Sequence, residues 1–184
     1  IDCGVKENIL KLLYARRCQI KVFAPDFPMN DLESFSPDGI LISPGPGDPK
    51  HMEFLVEKIK LILNDYPIFG ICLGHQIIAR AFDSNTYKLK FGHRGGNQPV
   101  MDIKQDKVYI TAQNHGYAVS SEIVNPEIEI THINLNDNTV SGLKHKKLPI
   151  MGIQYHSEAS PGPKDNEYLF DEFIKMININ RNNI

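Results

Sequence analysis

Gly70-Ile71-Cys72-Leu73-Gly74-His75-Gln76 is the stretch from which the fold can be read. The short apolar run at 68–71 has the character of a strand buried on both faces, and Asp65-Tyr66-Pro67 ends the helix before it. After Cys72 the pattern changes at once to an apolar helix reaching about Phe82. The segment therefore has the form G-x-C-x-G at a strand-to-helix turn, the context a nucleophile elbow needs. Small residues two before and two after the cysteine let strand and helix approach closely and hold the sulfur exposed on a strained turn. A thiol placed there is favoured as thiolate by the helix N-terminus, and the Leu73 N–H points to where an oxyanion would form.

Outward from this turn, the first half alternates apolar runs with amphipathic stretches, the pattern of a parallel sheet between helices. A helix is expected at 7–16, where Ile9, Leu12 and Leu13 share one side, then a strand at 20–24. Gly39-Ile40-Leu41-Ile42-Ser43 reads as a central strand running into the rigid loop Pro44-Gly45-Pro46-Gly47-Asp48-Pro49. Positions 52–63 carry Met52, Leu55, Val56, Ile59 and Leu63 at helical spacing. Further strands are expected at 86–91, 99–103, 108–112, 128–134, 139–144 and 150–155, a last helix near 165–177, and a frayed asparagine-rich tail at 178–183. The fold class that emerges is α/β: an open, mostly parallel sheet flanked by helices, with a strand-rich extension.

At 184 residues and 41% apolar content, the chain suits one domain, 1–184, built on one substantial core. It opens at Ile1 without an initiator Met, which suggests a piece of a longer polypeptide. A formal charge of −2 lacks the basic footprint of a nucleic-acid binder. No apolar run reaches the ~20 residues of a membrane-spanning helix, and no export signal opens the chain. Cys3, Cys18 and Cys72 are an odd number without a CxxC pair, which argues against a disulfide framework and a structural zinc. Free thiols fit a reducing, cytoplasmic compartment.

A cysteine nucleophile wants a histidine base and a third group to orient it. Seven histidines compete, at 51, 75, 93, 115, 132, 145 and 156. His156 follows the apolar strand Ile150-Met151-Gly152-Ile153-Gln154-Tyr155, and Glu158 stands two positions later, on the same side if the backbone stays extended. Cys72, His156 and Glu158 are the expected catalytic set. The other histidines are taken as partly exposed residues, and Cys3 and Cys18 as inert. Phe91-Gly92-His93-Arg94-Gly95-Gly96-Asn97-Gln98-Pro99 lacks the spacing and Lys-Ser/Thr ending of a phosphate loop.

These motifs together resemble the class I (triad) glutamine amidotransferases, and more narrowly the glutaminase domain of glutamine-dependent carbamoyl phosphate synthetase. The resemblance spans nearly the whole chain, from Asp2-Cys3-Gly4-Val5-Lys6-Glu7-Asn8 through the cysteine turn and Gln113-Asn114-His115-Gly116-Tyr117 to Ser160-Pro161-Gly162-Pro163. It departs in having His156-Ser157-Glu158 where the family usually has His-Pro-Glu, and Tyr117 where phenylalanine is common. It implies a flavodoxin-like fold and a glutaminase whose Cys72 attacks L-glutamine, with His156 passing protons and Glu158 orienting it. Leu73 and Gly47 then match the family's oxyanion hole, and Gly45, Gln76, Asn114, Gly116 and Tyr117 match positions that hold substrate. No metal or cofactor is implied in this domain. Ammonia would pass to an ATP-grasp carbamoyl phosphate synthetase that uses ATP and Mg²⁺, in pyrimidine or arginine biosynthesis. Two other readings stay open: another cysteine hydrolase on the same scaffold, and a non-catalytic pseudo-glutaminase that regulates its synthetase.

Overall fold

The computed structural model describes residues 1–182. Its helices are α1 (Glu7–Ala15), α2 (Met29–Phe35), α3 (Glu53–Ile62), α4 (Leu73–Ala81) and α5 (Tyr168–Asn182). Its strands are β1 (Ile40–Ile42), β2 (Ile68–Ile71), β3 (Thr86–Asp102), β4 (Lys107–Val119), β5 (Ile128–Asn134), β6 (Val140–His145) and β7 (Ile150–Ile153). One open seven-stranded sheet runs β1-β2-β7-β6-β5-β3-β4. Strands β1, β2 and β7 are parallel, and the extension through β6, β5, β3 and β4 pairs antiparallel. Among the described residues no helix is long and apolar enough to cross a membrane.

The continuous apolar runs of the parallel strands follow from burial on both faces. Ile40, Ile42, Ile68 and Ile150 pack with Leu55, Ile59, Ile77 and Ile78 of α3 and α4. The intervening Phe69, Ile71, Met151 and Ile153 pack with Ile9 and Leu13 of α1 and Phe170 and Phe173 of α5. Phe69 meets Phe170 edge-on at 5.7 Å between ring centroids. The sheet is thus the middle layer of three.

Four expectations need correction. Residues 20–24 form no strand: the free side of β1 is met by Ile1, whose amine donates to Leu41 O at 2.8 Å while Ser43 N donates to Ile1 O, and Phe23 O accepts from Asp2 N. The separate strands expected at 86–91 and 99–103 are one strand, β3, with register shifts between Lys88 and His93 and between Gly95 and Gln98. Strand β4 continues past 112 to Val119, because its buried side past 110 is polar (Thr111, Gln113, His115) and gives no apolar alternation. The tail expected to fray is helical to Asn182, where Arg181 pairs with Asp38 at 3.4 Å; Asn183 lies outside the described residues. Helix α2 leaves little trace in the hydrophobic pattern, since its seven residues bury only Leu32.

Candidate active site

The turn between β2 and α4 is built by two glycines. A Cβ on Gly70 would lie 2.5 Å from the carbonyl of Gly74, and one on Gly74 would lie 2.2 Å from Ile42 O. Strand β1, strand β2 and helix α4 therefore meet backbone to backbone, at distances no side chain tolerates. Cys72 is the residue caught between them: its φ of 53° and ψ of −102° lie outside the regions an L-residue favours. Its N–H donates to Ile153 O of β7 at 2.8 Å, fixing the turn to the neighbouring strand. As the first residue of α4, Leu73 carries a backbone N–H that the helix itself leaves unpaired. Gly45 presses against it, since a Cβ there would come within 2.8 Å of Leu73 Cδ2 and 2.3 Å of Cys3 O. The loop carrying Gly45 and Gly47 is thereby held at the nucleophile turn, and Gly47, at φ 98°, borders open space.

The chain leaving β7 brings His156 and Glu158 to the same place. His156 N donates to Ala112 O of β4 at 2.8 Å. Its Nδ1 lies 2.8 Å from Glu158 Oε1, and Glu158 is fully buried. Burial opposes a charge on His156, but interactions with Cys72 and with Glu158 outweigh it and raise the imidazole to about 9. Burial likewise opposes the Glu158 charge, and His156 and Lys6 overcome it, so the carboxyl is held below its ordinary value. The imidazole thus has a sulfur and a buried carboxylate as neighbours, and both favour its protonated form.

Strand β4 supplies the facing wall. Gln76 Nε2 donates to Tyr117 O at 2.8 Å, which ties α4 to β4. Burial and the neighbouring Asp48 push the Tyr117 phenol up, so the loop after β1 also reaches this strand. A Cβ on Gly116 would meet nothing within 4 Å, and Asn114 shares its side of the strand, exposed and opposite Arg94. The structure thus gathers Cys72, Leu73, Gln76, Tyr117, His156 and Glu158 into direct contacts and sets Gly45, Gly47 and Gly116 at the border; no hydrogen bond links Asn114 to the set among the described residues.

Sequence reading missed three participants. Lys6 Nζ lies 2.9 Å from Glu158 Oε1, Asn8 Nδ2 donates to Glu158 O, and Gln154 Nε2 lies 3.7 Å from Cys72 Sγ. Lys6 and Asn8 lie about 150 residues from Glu158 in sequence, and only their place in the resembling motif could have flagged them. The histidines also need correction: His75, His93, His115, His132 and His145 are buried, and only His51 is exposed. Burial depresses His75 to about 3 and His115 to about 4, so both are neutral at physiological pH. His115 is instead a hydrogen-bonded core residue: its one N–H, on Nδ1, donates to Tyr117 O at 2.7 Å, and Nε2, left as an acceptor, lies 3.2 Å from His93 Nδ1. Cys3 is pushed up to about 11 by burial, as an inert thiol should be. No group of His, Cys, Asp or Glu among the described residues could hold a metal ion.

Residues 1–176 match the glutamine amidotransferase class-I family. The chain is 51% identical over 177 residues to the carbamoyl phosphate synthase small chain of Clostridium acetobutylicum, covering 96% of this chain and 50% of that protein. It is also 51% identical over 177 residues to the carbamoyl phosphate synthase pyrimidine-specific small chain of Bacillus subtilis, covering 96% and 48%. The chain spans about half the length of the curated relatives it matches. Among solved structures, a Thermoplasma acidophilum protein provisionally named as part of a GMP synthase shares the fold with a TM-score of 0.85 at 21% identity, covering 99% of this chain and 94% of that one. A glutamine amidotransferase from Methylobacillus flagellatus does so at 0.73 and 13% identity, covering 92% and 89%. With its flavodoxin-like sheet and the cysteine turn at the edge of that sheet, the chain belongs to the class-I glutamine amidotransferase family.

Proposed function

We propose that residues 1–184 act as the glutaminase domain of a carbamoyl phosphate synthetase. Cys72 Sγ attacks the side-chain carbonyl carbon of L-glutamine, and the tetrahedral oxyanion is met by the Leu73 and Gly47 N–H groups. His156 gives its proton to the leaving nitrogen as the C–N bond breaks, releasing ammonia and a γ-glutamyl thioester. The neutral imidazole then takes a proton from water, whose oxygen attacks the thioester; the C–S bond breaks, restoring thiolate beside imidazolium and releasing the acid, which loses its proton to solvent as glutamate. Glu158 holds the imidazole by its Nδ1 throughout. Gly45, Gln76, Asn114, Gly116 and Tyr117 border the substrate, and Gly116 does so without a side chain in the way.

One observation carries this reading: Cys72 on a strained strand-to-helix turn, with His156 beside it and His156 Nδ1 2.8 Å from a fully buried Glu158. The names of its relatives, small chains of carbamoyl phosphate synthase, support a larger synthetase partner that takes the ammonia; that this partner is an ATP-grasp enzyme using bicarbonate, ATP and Mg²⁺ is part of the proposal. Its test is release of ammonia and glutamate from glutamine by the full-length protein with its synthetase. Cys72→Ser is expected to cut turnover by at least about 10⁴-fold with unchanged circular dichroism. Turnover of peptides in place of glutamine supports another cysteine hydrolase, and a wild-type protein that hydrolyses neither supports a regulatory module.

A further inference from the structure

Gln154 sits between the end of β7 and His156, buried to within 1% of its surface, and the steps proposed for glutamine hydrolysis give it no part. Its side-chain amide closes a chain of hydrogen bonds that ends on the nucleophile. Gln76 Nε2 is 2.8 Å from Tyr117 O and 2.9 Å from Gln154 Oε1, and Gln154 Nε2 is 3.7 Å from Cys72 Sγ.

Donor and acceptor chemistry sets the direction of this chain. A backbone carbonyl only accepts, so the Gln76 atom on Tyr117 O must be its NH₂ group. The other hydrogen of that nitrogen is directed to Gln154, whose facing atom must then be an acceptor, the carbonyl oxygen. The opposite end of the Gln154 amide, facing Sγ, is therefore an NH₂ group and can only donate. Flipping either amide would set like groups against each other in a buried site, at the cost of leaving them unpaired. A donor aimed at sulfur interacts more strongly with an anion than with a neutral thiol.

We infer that Gln154 is a further catalytic residue: its N–H, oriented by Gln76 and the Tyr117 carbonyl, holds the Cys72 sulfur as thiolate and aims it across the turn. The inference rests on the reading of Cys72 as the nucleophile. It also joins that nucleophile to the substrate wall, because Gln76 and Tyr117 belong to both. The ionisable group that meets Sγ in the described structure is His156, itself tied to Glu158 and through it to Lys6.

The test is the rate of Cys72 alkylation by iodoacetamide as a function of pH, located by peptide mass spectrometry so that Cys3 and Cys18 do not count. In Gln154→Met the midpoint of reactivity is expected to rise by about one pH unit, a tenfold loss of thiolate below it. Gln154→Glu, which turns a carboxylate on the sulfur, should shift it further. A merely loosened structure would speed alkylation at every pH and leave the midpoint in place. Midpoints equal to wild type in folded variants overturn the inference. If neither variant folds, the wild type decides: the ¹⁵N-labelled Gln154 side-chain NH₂ signal should move as Cys72 ionises and stay still in Cys72→Ala, and a signal indifferent to that ionisation overturns the inference. Failure of the glutaminase reading would show separately, as alkylation that excess glutamine does not slow in the wild type.

Discussion

The two halves of the sheet are packed by different rules. Around β1, β2 and β7 the core is hydrocarbon, and the approaches of Gly70 and Gly74 to neighbouring backbone leave no room for a methyl group. Around β3, β4 and β5 the buried side carries Asp102, Thr111, Gln113, His115, His132 and Asn134 among its packing residues. His93 Nδ1 lies 3.1 Å from Gln113 Oε1, and its Nε2 lies 2.8 Å from Asp137 Oδ2. Close packing fixes a backbone to a fraction of an ångström but offers nothing polar to a substrate. A hydrogen-bonded strand offers polar edges, with its shape held by directional bonds. The candidate site lies on the seam: the nucleophile and its imidazole come from the parallel half, and Gln76 N–H on Tyr117 O and His156 N–H on Ala112 O bind them to the other.

Breaking the charge relation at the seam should have the largest effect. Glu158→Gln keeps the shape but removes the buried carboxylate that holds His156 as imidazolium, and glutamine turnover should fall by about 10³-fold. The alkaline limb of the pH profile should fall from about 9 in the wild type toward the ordinary histidine range, as steady-state rates across pH will read. The sign for stability follows from the same shift. The folded protein binds the His156 proton more tightly than the unfolded chain does, so the His156 contribution is fully present below about pH 6.5 and is lost as pH rises through about 9, whereas that of Glu158, whose carboxyl is held below its ordinary value, is lost as pH falls.

The packing half is broken by a single methyl. Gly74→Ala sets a Cβ 2.2 Å from Ile42 O, and the backbones must part to admit it; denaturant unfolding should show a loss of about 3 kcal/mol. Should Gly74→Ala unfold like the wild type, the account of the strained turn fails. The smallest effect is expected on the hydrogen-bonded wall. Tyr117 contributes its backbone carbonyl to the network, so Tyr117→Phe should change KM for glutamine by less than about threefold and leave kcat alone, by initial-rate kinetics.

The same contrast explains what could be read from the sequence. The parallel half was legible because two-sided burial writes itself as unbroken apolar runs, and because Gly70 and Gly74 flank Cys72 at the one spacing that a strand-to-helix contact requires. His156 and Glu158 were legible from their place just after an apolar strand, although Ser157 and Glu158 form a turn and not the extended chain that the two-residue spacing assumed. The antiparallel half was harder: β3 is irregular between Lys88 and His93, and the buried positions of β4 past 110 are polar, so period-two hydrophobicity stops near 112 although the strand runs on to Val119. Burial of the histidines was hidden for the same reason, since hydrogen bonds across strands, as between His93 of β3 and Gln113 of β4, leave no trace in spacing. Lys6 and Gln154 act through contacts that exist only after folding, and Ile1 meets the free side of β1 while residues 20–24, expected as a strand, form none.

The central claim is that Cys72 is a nucleophile poised for glutamine, and the direct measurement is covalent capture. The protein is incubated with the electrophilic glutamine analogue 6-diazo-5-oxo-norleucine, with and without excess glutamine, and the adduct is located by peptide mass spectrometry. The account predicts a single adduct on Cys72 that glutamine suppresses and that Glu158→Gln slows. Labelling spread over Cys3 and Cys18, or labelling of Cys72 that glutamine does not slow, would contradict it.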